Sequence, residues 1–290
     1  MFEFPTQHRV PFDGSFRIEQ ADTNAPGNQS DEELEERLKK LTKKLDKLQQ
    51  VFFAHDHHSL LLVFQAMDAA GKDGTIRAIM RGIDPAGCQV YSFKQPSAEE
   101  LDHDFLWRTA KCLPERGRIG VFNRSYYEEV LVVRVHPEYL GGQNLPKEIN
   151  KDNIWQDRYE SIRDHEKHLA RNGTVIIKFW LNVSKAEQKQ RFLDRLDETD
   201  KNWKFSAGDV AERQHWDSYM QAYEDALNAT SCKHAPWYAI PADNKAYMRV
   251  AVAETIVETL EALSIEYPEV SAAEREKFAE ARRLLETEGT

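Results

Sequence analysis

The segment from Phe64 to Ile76, FQAMDAAGKDGTI, places a Gly-Lys pair between carboxylates, directly after the apolar run SLLLVFQA. The residues that follow have helical composition, with Ile76, Ile79, Met80 and Ile83 on one side. A loop between a strand and a helix can surround a phosphate with backbone N–H groups, and Lys72 could reach the outer phosphates. Ala66 replaces the first Gly of the usual motif, and Asp73 replaces its hydroxyl residue. The pattern alone therefore fits a phosphate site and an ordinary strand-to-helix turn equally well.

Asp68 is the candidate metal ligand, because the loop lacks the hydroxyl group that would normally hold Mg²⁺. Magnesium prefers oxygen ligands and keeps several waters, so one carboxylate near the phosphates can replace that hydroxyl. Without a cation between them, a carboxylate and a phosphate would repel each other. Asp73 is also open to a simpler role, complementing the helix dipole. We predict Asp68 and Lys72 as catalytic residues, and we predict that the substrate phosphates contact Ala70, Gly71, Asp73, Gly74, Thr75 and Lys94.

A second candidate segment, GVFNRSYYEEV, spans 120–130 and follows another apolar run. Arg124 at the end of a strand could neutralise charge on a transferred phosphoryl group, although a surface arginine is the simpler interpretation. Asn123 is predicted beside it as a substrate contact. Glu128 could position a second Mg²⁺ or its waters, or could begin a helix and complement its dipole.

Basic residues are also concentrated in the segment 188–227, which reads as two helices joined by a polar turn. This arrangement predicts a lid over phosphates whose cations are Arg191, Arg195, Lys201, Lys204 and Arg213. Acidic residues are interleaved in equal measure, so a solvated helical hairpin is the alternative.

The elements that must position these residues form a regular pattern. Five apolar runs, SLLLVFQA, CQVYSFK, RIGVFNRS, TVIIKFWLNV and WYAIPAD, alternate with amphipathic stretches. This alternation predicts an α/β fold with a five-stranded parallel sheet and helices on both faces. Residues 1–29 are expected to be an N-terminal extension that lies over the body or stays mobile. Residues 30–290 are expected to form one domain, with the lid at about 188–215.

The first helix is predicted to begin at a capping box of Ser30 and Glu33. Leucines then recur at steps of four and three, at Leu34, Leu38, Leu41, Leu45 and Leu48. This stripe can pack on the same chain or across a subunit interface. At the other end of the chain, AAEREKFAEARRLLETEGT predicts a surface helix.

Composition narrows the class of protein. With 290 residues, 41% of them hydrophobic and 30% charged, the chain has the profile of a globular protein. Its net charge of −10 argues against a general nucleic-acid-binding protein. No run is long and apolar enough for a membrane span, and the N-terminus lacks a secretory pattern, so we expect a cytoplasmic protein without a membrane partner. Its three cysteines are far apart and predict neither a disulfide framework nor a zinc site.

The order and spacing of the motifs resemble the polyphosphate kinase 2 family from about Leu60 onward. The resemblance is carried by AMDAAGKDGTI, FKQPSAEELDHDFLWR, LPERGRIGVFNRSYYEEVLV, RFLDRLDETDKNWKFS, ERQHWDSYMQAYEDAL and HAPWYAIPADNK. It implies a three-layer P-loop kinase fold with a helical lid, and transfer of a terminal phosphoryl group between inorganic polyphosphate and nucleotides with Mg²⁺. It also implies that Asp68 and Lys72 match the Walker A residues, and that Asn123 and Arg124 match the Walker B pair. With this resemblance, Arg124 is predicted as a catalytic residue together with Asp68 and Lys72.

The sequence departs from the commonest family pattern at two places. Asn123 stands where many members have Asp, which leaves direct metal ligation at this position in doubt. YYEEVLV replaces the WYNR that is common among members acting on nucleoside diphosphates, and it is similar to a subgroup that uses both mono- and diphosphates. We therefore expect AMP and ADP as acceptors, with guanine nucleotides as a second option. Separately, we expect a homo-oligomer, either dimer or tetramer.

Two other functions remain open at this point. One is an ATP-dependent nucleoside or nucleotide kinase, which would share the fold class. The other is a nucleotide-binding or polyphosphate-binding switch without turnover. NKAY at 244–247 lies where a GTPase would carry NKxD, but Tyr247 replaces the Asp that reads guanine.

Overall fold

A single parallel sheet organises the chain, in a computed structural model that describes residues 2–199, 202 and 207–288. Within these residues it has five strands: β1 (Ser59–Ala66), β2 (Cys88–Ser92), β3 (Ile119–Asn123), β4 (Thr174–Asn182) and β5 (Trp237–Pro241). Their order is β2-β3-β1-β4-β5, and every neighbouring pair is parallel. The five apolar runs thus predicted all five strands, and the predicted sheet is confirmed.

Helices cover both faces of the sheet, as predicted. In the described residues they are α1 (Asp31–His55), α2 (Lys72–Ile79), α3 (Ala98–Leu101), α4 (Trp107–Ala110), α5 (Val132–Val135), α6 (Ile154–Arg171), α7 (Lys185–Asp197), α8 (Ala207–Glu212), α9 (Trp216–Thr230), α10 (Lys245–Ala262) and α11 (Ala272–Thr287). The group of α1, α2 and α10 packs together on one face, and α5, α6 and α9 pack together on the other. The core lies between these layers, with Trp180 and Phe64 among its fully buried side chains.

The strand order creates a crevice next to β1. The chain passes from β1 to β2 in one direction along the sheet and from β3 to β4 in the other. In open α/β sheets, ligands bind at the carboxyl ends of the strands where this direction reverses. The loop after β1 and the turn after β3 meet at this point, and they carry the two segments predicted to do chemistry.

Helix α1 begins at the predicted capping box, in which Ser30 and Glu33 bond to each other's backbone N–H groups. Its leucine stripe packs on α10 of the same chain, with Leu34 and Leu45 almost completely buried. The intrachain interpretation of the stripe is therefore the one that the structure shows.

The N-terminal extension lies on the body of the protein, along the outer edge of β5. The Val10 N–H donates to the Trp237 carbonyl at 2.9 Å, and the Ala239 N–H donates to the His8 carbonyl at 2.9 Å. Val10 is buried in the core. Of the two predicted arrangements for this segment, the structure shows the packed one. At the opposite end, α11 is exposed along its whole length, as predicted for a surface helix.

Candidate active site

A cavity of about 650 Å³ lies at the carboxyl ends of β1 and β3. The predicted residues that line it are Asp68, Ala70, Gly71, Lys72, Asp73, Gly74, Lys94, Asn123, Arg124, Arg191 and Arg195. Among the described residues, seven basic and five acidic side chains line the cavity, so it carries an excess of two positive charges in a chain of net charge −10. A polyanionic ligand therefore has a locally basic place to bind.

The loop between β1 and α2 has the backbone shape of a phosphate-binding turn. Ala69 and Gly71 both have positive φ, at 62° and 101°. A Cβ on Gly71 would lie 3.0 Å from Cε of Met248, so both its conformation and its surroundings favour glycine. Helix α2 starts directly after it, where the Thr75 N–H donates to the Gly71 carbonyl at 3.0 Å. The first N–H groups of a helix have no intrahelical partner, so the start of α2 can bind an anion.

Arg124 joins the β3 segment to the β1 loop. Its backbone N–H donates to the Phe64 carbonyl of β1 at 3.0 Å, and its φ of 64° is unusual for a residue other than glycine. Its Nη2 donates to Oδ1 of Asp68 at 2.9 Å, and its Nη1 lies 3.8 Å from Oε2 of Glu128. The charge of Glu128, and then that of Asp68, raises the pKa of Arg124 against the opposing effect of burial. The guanidinium is thus held between the carboxylates of Asp68 and Glu128.

Lys72 has a lowered pKa, mainly because burial disfavours its charged form and partly because Arg124 is close. Glu128, Asp68 and Asp73 act in the opposite direction, but they do not fully offset these effects. The nearby carboxylates thus only partly stabilise the charged form of Lys72. A bound anion would stabilise that charged form further.

The Asn123 amide contacts the α2 side of the site. Its Nδ2 donates to Oδ1 of Asp73 at 2.7 Å and lies 3.3 Å from Oγ of Ser92. Asp73 is therefore held by a specific partner on β3 in addition to lying in the first turn of a helix. This contact ties the start of α2 to the end of β3.

Glu128 lies at the start of a helix, as the simpler of its two predicted roles requires. It lies in the first turn of the short 3₁₀ helix Tyr126–Val130, which Ser125 caps. Its carboxylate also accepts a hydrogen bond from Nε2 of Gln65 at 2.7 Å. Gln65 comes from β1, so this hydrogen bond ties the Glu128 side chain to that strand.

A fully buried polar cluster joins the same 3₁₀ helix to α6 and β4. The hydroxyl groups of Tyr126 and Tyr127 each donate to Oε1 of Glu166 at 2.9 Å. Nζ of Lys178 donates to Oε2 of Glu166 at 2.5 Å, to the Tyr127 hydroxyl at 2.9 Å and to the Thr230 carbonyl at 2.9 Å. Burial raises the pKa of both tyrosines and lowers that of Lys178, although the nearby Glu166 counteracts the latter effect. The YY pair thereby fixes the turn that carries Arg124 and Glu128.

Helices α7 and α8 contain most of the described residues of the segment that was predicted to form a lid. Arg195 faces the cavity and lies 3.7 Å from Asp209 of α8. Arg213 donates to Oε1 of Gln188 at 2.6 Å, which ties the segment after α8 back to α7. Burial, reinforced by the charge of Asp68, raises the pKa of Asp209. The other predicted lid cations, Lys201 and Lys204, lie outside the described residues.

Arg191 occupies a different position from the one predicted for a lid cation. It is buried beneath the phosphate loop, and its Nε donates to Glu187 at 2.8 Å. Its Nη1 and Nη2 atoms donate to the carbonyl oxygens of Ala69, Ala70, Ala242 and Asp243. All five donor positions of the guanidinium therefore have protein acceptors. Arg191 joins the loop after β1 to the end of β5 instead of covering the phosphates.

Thr75 also differs from its predicted role as a substrate contact. Its side chain is fully buried, and its hydroxyl donates to the Gly71 carbonyl at 3.1 Å. The side chain therefore stabilises the start of α2 and faces away from the cavity.

Some cavity residues were missing from the prediction. They are Lys245 and Arg249 on α10, Asp194 and Glu198 near the end of α7, and Asp209 on α8. A signal for the first two existed, since basic residues four positions apart at the start of a helix share one face and follow a predicted strand. The acidic residues gave no comparable signal, because mixed charge is usual on surface helices.

The carboxylates of the cavity are possible ligands for a metal ion. No group of three or more His, Cys, Asp or Glu side chains with suitable geometry for a metal ion occurs in the part of the chain that the structure describes. Mg²⁺ that binds together with phosphate usually takes one or two protein carboxylates and completes its shell with phosphate and water. Asp68 lies in the phosphate loop beside Lys72 and is placed for this role.

None of the helices in residues 2–199, 202 and 207–288 combines enough length with enough apolar character to cross a bilayer.

Comparisons with known proteins place the chain in a family. The sequence model of polyphosphate kinase 2 (PPK2) matches residues 28–268. The chain is 55% identical over 261 residues to an ADP-polyphosphate phosphotransferase from Rhodopseudomonas palustris, covering 90% of each protein. It is 44% identical over 270 residues to an AMP/ADP-polyphosphate phosphotransferase from Meiothermus ruber, covering 92% of this chain and 97% of that one. The crystal structure of polyphosphate kinase 2 from Arthrobacter aurescens matches with a TM-score of 0.85 and 38% identity, over 96% of this chain and 98% of that chain. The chain with this P-loop cavity therefore belongs to the polyphosphate kinase 2 family.

Proposed function

We propose that the protein transfers the terminal phosphoryl group of inorganic polyphosphate to ADP and AMP, reversibly and with Mg²⁺. Family membership makes polyphosphate-dependent phosphoryl transfer to nucleotides its reaction class. The relative from Rhodopseudomonas palustris is named for ADP, and the one from Meiothermus ruber for both AMP and ADP. The observation that carries the proposal is the arrangement of Lys72, Asp68 and Arg124 around one phosphate-sized loop in a basic cavity.

The proposed mechanism depends on alignment and charge. Phosphoryl transfer requires little covalent help, so donor and acceptor must be held in line while charge on the transferring group is stabilised. Lys72 binds oxygens of this group from the helix side, and Arg124 binds them from the β3 side. Neither role requires a nucleophilic side chain.

Asp68 is the residue that we propose to hold Mg²⁺, which neutralises phosphate charge and orients the phosphates when it is bound. In the structure Oδ1 of Asp68 accepts from Arg124. If Asp68 held Mg²⁺, the Arg124 guanidinium would be free to donate to the phosphoryl oxygens.

Acceptor range is proposed to depend on the Glu128 side of the cavity. AMP must place its only phosphate where ADP places its second, so the shorter acceptor leaves a gap to be filled by metal and water. Glu128 is held by Gln65 of β1 and lies 3.8 Å from Nη1 of Arg124, and it could order that water or a second Mg²⁺. Adenine nucleotides are the proposed acceptors, with guanine nucleotides as a further class to be assayed.

The remaining proposals concern organisation. Residues 30–290 are proposed to act as one domain, with a lid at about 188–215 that includes Arg195, and with 1–29 as an extension. A homo-oligomer, dimer or tetramer, in the cytoplasm is the proposed working form.

The decisive experiment incubates purified, nucleotide-free protein with Mg²⁺, long-chain polyphosphate and either AMP or ADP, and separates the products on an anion-exchange column. We expect ADP and ATP to form from AMP, and ATP to form from ADP. A nucleotide kinase would instead form product from AMP only when ATP is supplied, and a switch would form none.

A further inference from the structure

We propose that Gln188 is a positioning residue for phosphoryl transfer. Its side-chain amide joins Arg213, which directly follows α8, to the main chain of Asp68 in the phosphate loop. The position of the α8 segment, residues 207–215, and that of the loop are thereby set together. The inference rests on the proposed function for the reaction that is affected, and it adds a physical connection between this segment and the proposed metal ligand.

The Gln188 side chain lies between the two segments and bonds to both. Its Nε2 donates to the backbone carbonyl of Asp68 at 2.8 Å, and its Oε1 accepts from Nη1 of Arg213 at 2.6 Å. These partners lie 120 and 25 positions away from Gln188 in the sequence. Only 1% of the Gln188 surface is exposed, so water has little access to replace either bond.

The two partners require opposite hydrogen-bonding functions from one side chain. The Arg213 guanidinium can only donate, and the Asp68 carbonyl can only accept. A carboxamide provides both an acceptor and a donor, whereas a carboxylate provides acceptors alone and an apolar side chain provides neither. Glutamine therefore matches this position chemically, and the identity of its two partners assigns the orientation of its amide.

The first turn of α7 fixes the place of Gln188. Ser184 caps this helix by accepting from the Glu187 N–H at 3.1 Å, and the Gln188 N–H donates to the Ser184 carbonyl at 2.9 Å. Arg213 bonds to the same turn a second time, through the Lys185 carbonyl at 3.1 Å. The start of α7 is thus a common anchor for the α8 segment and the phosphate loop.

The connection also affects the charges that surround the phosphates. Asp209 on α8 lines the same cavity as Asp68, and it lies 3.7 Å from Arg195 of α7. A shift of Arg213 would therefore move a carboxylate relative to the site of transfer, whereas a loss of the Gln188 amide would release the main chain at Asp68. Small displacements of this kind lower the rate of a reaction that depends on alignment.

The test separates the two bonds of the connection. Gln188→Glu keeps the acceptor for Arg213 and loses the donor to Asp68, Arg213→Met removes the bond to the α8 segment, and Gln188→Met removes both. Arg213→Lys restores a cation at the same position. Gln50→Met and Arg81→Met, at exposed positions outside the cavity lining, are the matched controls.

We expect Gln188→Met to lower kcat by roughly tenfold and to leave the KM for ADP within about twofold, because a misplaced group loses more rate than binding. Gln188→Glu and Arg213→Met should show similar losses, and Arg213→Lys should recover part of the rate. The double variant Gln188→Met with Arg213→Met should be no slower than Gln188→Met, because both changes break one connection. Independent effects would instead multiply to about a hundredfold loss.

Amide hydrogen exchange in ligand-free protein gives a second readout that does not depend on turnover. Peptides that cover 66–76 and 207–215 report on the phosphate loop and the α8 segment. Arg213→Met should speed exchange in the distant 66–76 peptide by about fivefold, because loss of a buried bond makes local opening easier. Gln188→Met should speed exchange in both peptides, and the control variants in neither.

The proposal is overturned if Arg213→Met changes exchange only within 207–215, or if the losses in kcat multiply in the double variant. It is also overturned if the variants have a lower Tm but keep wild-type kcat at a temperature where they are folded, since Gln188 would then act on stability alone. Failure of the proposed function is seen separately: wild-type protein would transfer no phosphoryl group from polyphosphate, while exchange in the two segments would still be coupled.

Discussion

Nη2 of Arg124 lies 2.9 Å from Oδ1 of Asp68, although the two residues are 56 positions apart in the sequence. The contact joins the turn after β3 to the loop after β1 at the point where the strand order reverses. In this contact, the arginine lies beside the proposed metal ligand before phosphate is bound. Charge stabilisation in such a site needs little reorganisation, because the cation is already close to where negative charge will develop.

Lys72→Met should lower kcat by about 10²-fold or more, the usual effect of removing one group that stabilises transition-state charge. Thermal stability should be unchanged or slightly higher, because burial already disfavours the charged form of Lys72. Steady-state assays and thermal unfolding measure the two effects, with Lys189→Met as the control. Retention of more than about a tenth of wild-type turnover would exclude the proposed role.

Asp68→Asn should raise the Mg²⁺ concentration for half-maximal rate by roughly tenfold, because it removes the proposed carboxylate ligand. Binding of ADP in the absence of metal should change little. A Mg²⁺ titration of the initial rate gives the first quantity, and calorimetry with ADP gives the second. Asp46→Asn, on α1 and outside the cavity lining, is the control, and an unchanged Mg²⁺ dependence in Asp68→Asn would place the ligand elsewhere.

Glu128→Gln should reduce kcat/KM for AMP about tenfold more than kcat/KM for ADP, if the carboxylate orders metal or water in the space left by the shorter acceptor. The substitution keeps an oxygen that can accept from Gln65, so the position of the side chain is preserved. Competition assays with both acceptors measure the ratio directly. Equal losses for AMP and ADP would leave Glu128 with its role in the 3₁₀ helix alone.

Lys178→Met should destabilise the fold by about 3 to 5 kcal/mol, because it leaves Glu166 as an unpaired charge in the core. Lys178 and Glu166 are both fully buried, so solvent cannot replace the lost partner. Denaturant unfolding measures the loss, and Lys189→Met on the surface should cost little. The double variant Lys178→Met with Glu166→Gln should recover part of the stability; no recovery would show that packing of the lysine matters more than its charge.

His136 should stabilise the contact with α8 more at low pH. Its ring lies 2.9 Å from Oε2 of Glu212, which also accepts from Tyr219 at 2.8 Å. Burial lowers the pKa of His136, but the hydrogen bonds and charges of Glu212 and Glu138 outweigh that effect, so the pKa is raised. A raised pKa means that the protonated ring favours the folded state. Its contribution is complete below the unfolded pKa and is lost as pH rises through the higher folded value.

His136→Gln should therefore lower Tm more at pH 5.5 than at pH 8, with a difference of about 2 °C if the charged contact contributes about 1 kcal/mol. Thermal unfolding of the wild type and the variant at both pH values tests this expectation. His103→Gln, an exposed histidine, is the control. An equal Tm loss at both pH values would show that the ring acts by packing and not by charge.

Local sequence patterns were sufficient to predict the five strands of the sheet and many of the residues that line the cavity. Apolar runs marked all five strands, and the capping box marked the start of α1, because each feature depends on residues a few positions apart. Asp68, Lys72 and Arg124 could be nominated because each follows a strand of a parallel sheet, and the carboxyl ends of such strands meet at one edge.

Tertiary packing decided which way the helical side chains point. Arg191 shares the buried face of α7 with Gln188 and Phe192, so it supports the loop from beneath. Thr75 turns into the start of α2, whereas Arg249 reaches the loop from a helix at the far end of the chain. The residue types alone could not show which side chains face the cavity and which are buried, because arginine and threonine occur both on surfaces and in hydrogen-bonded interiors. Only the docking of α7 and α10 against the β1 loop determines which of these side chains contact it.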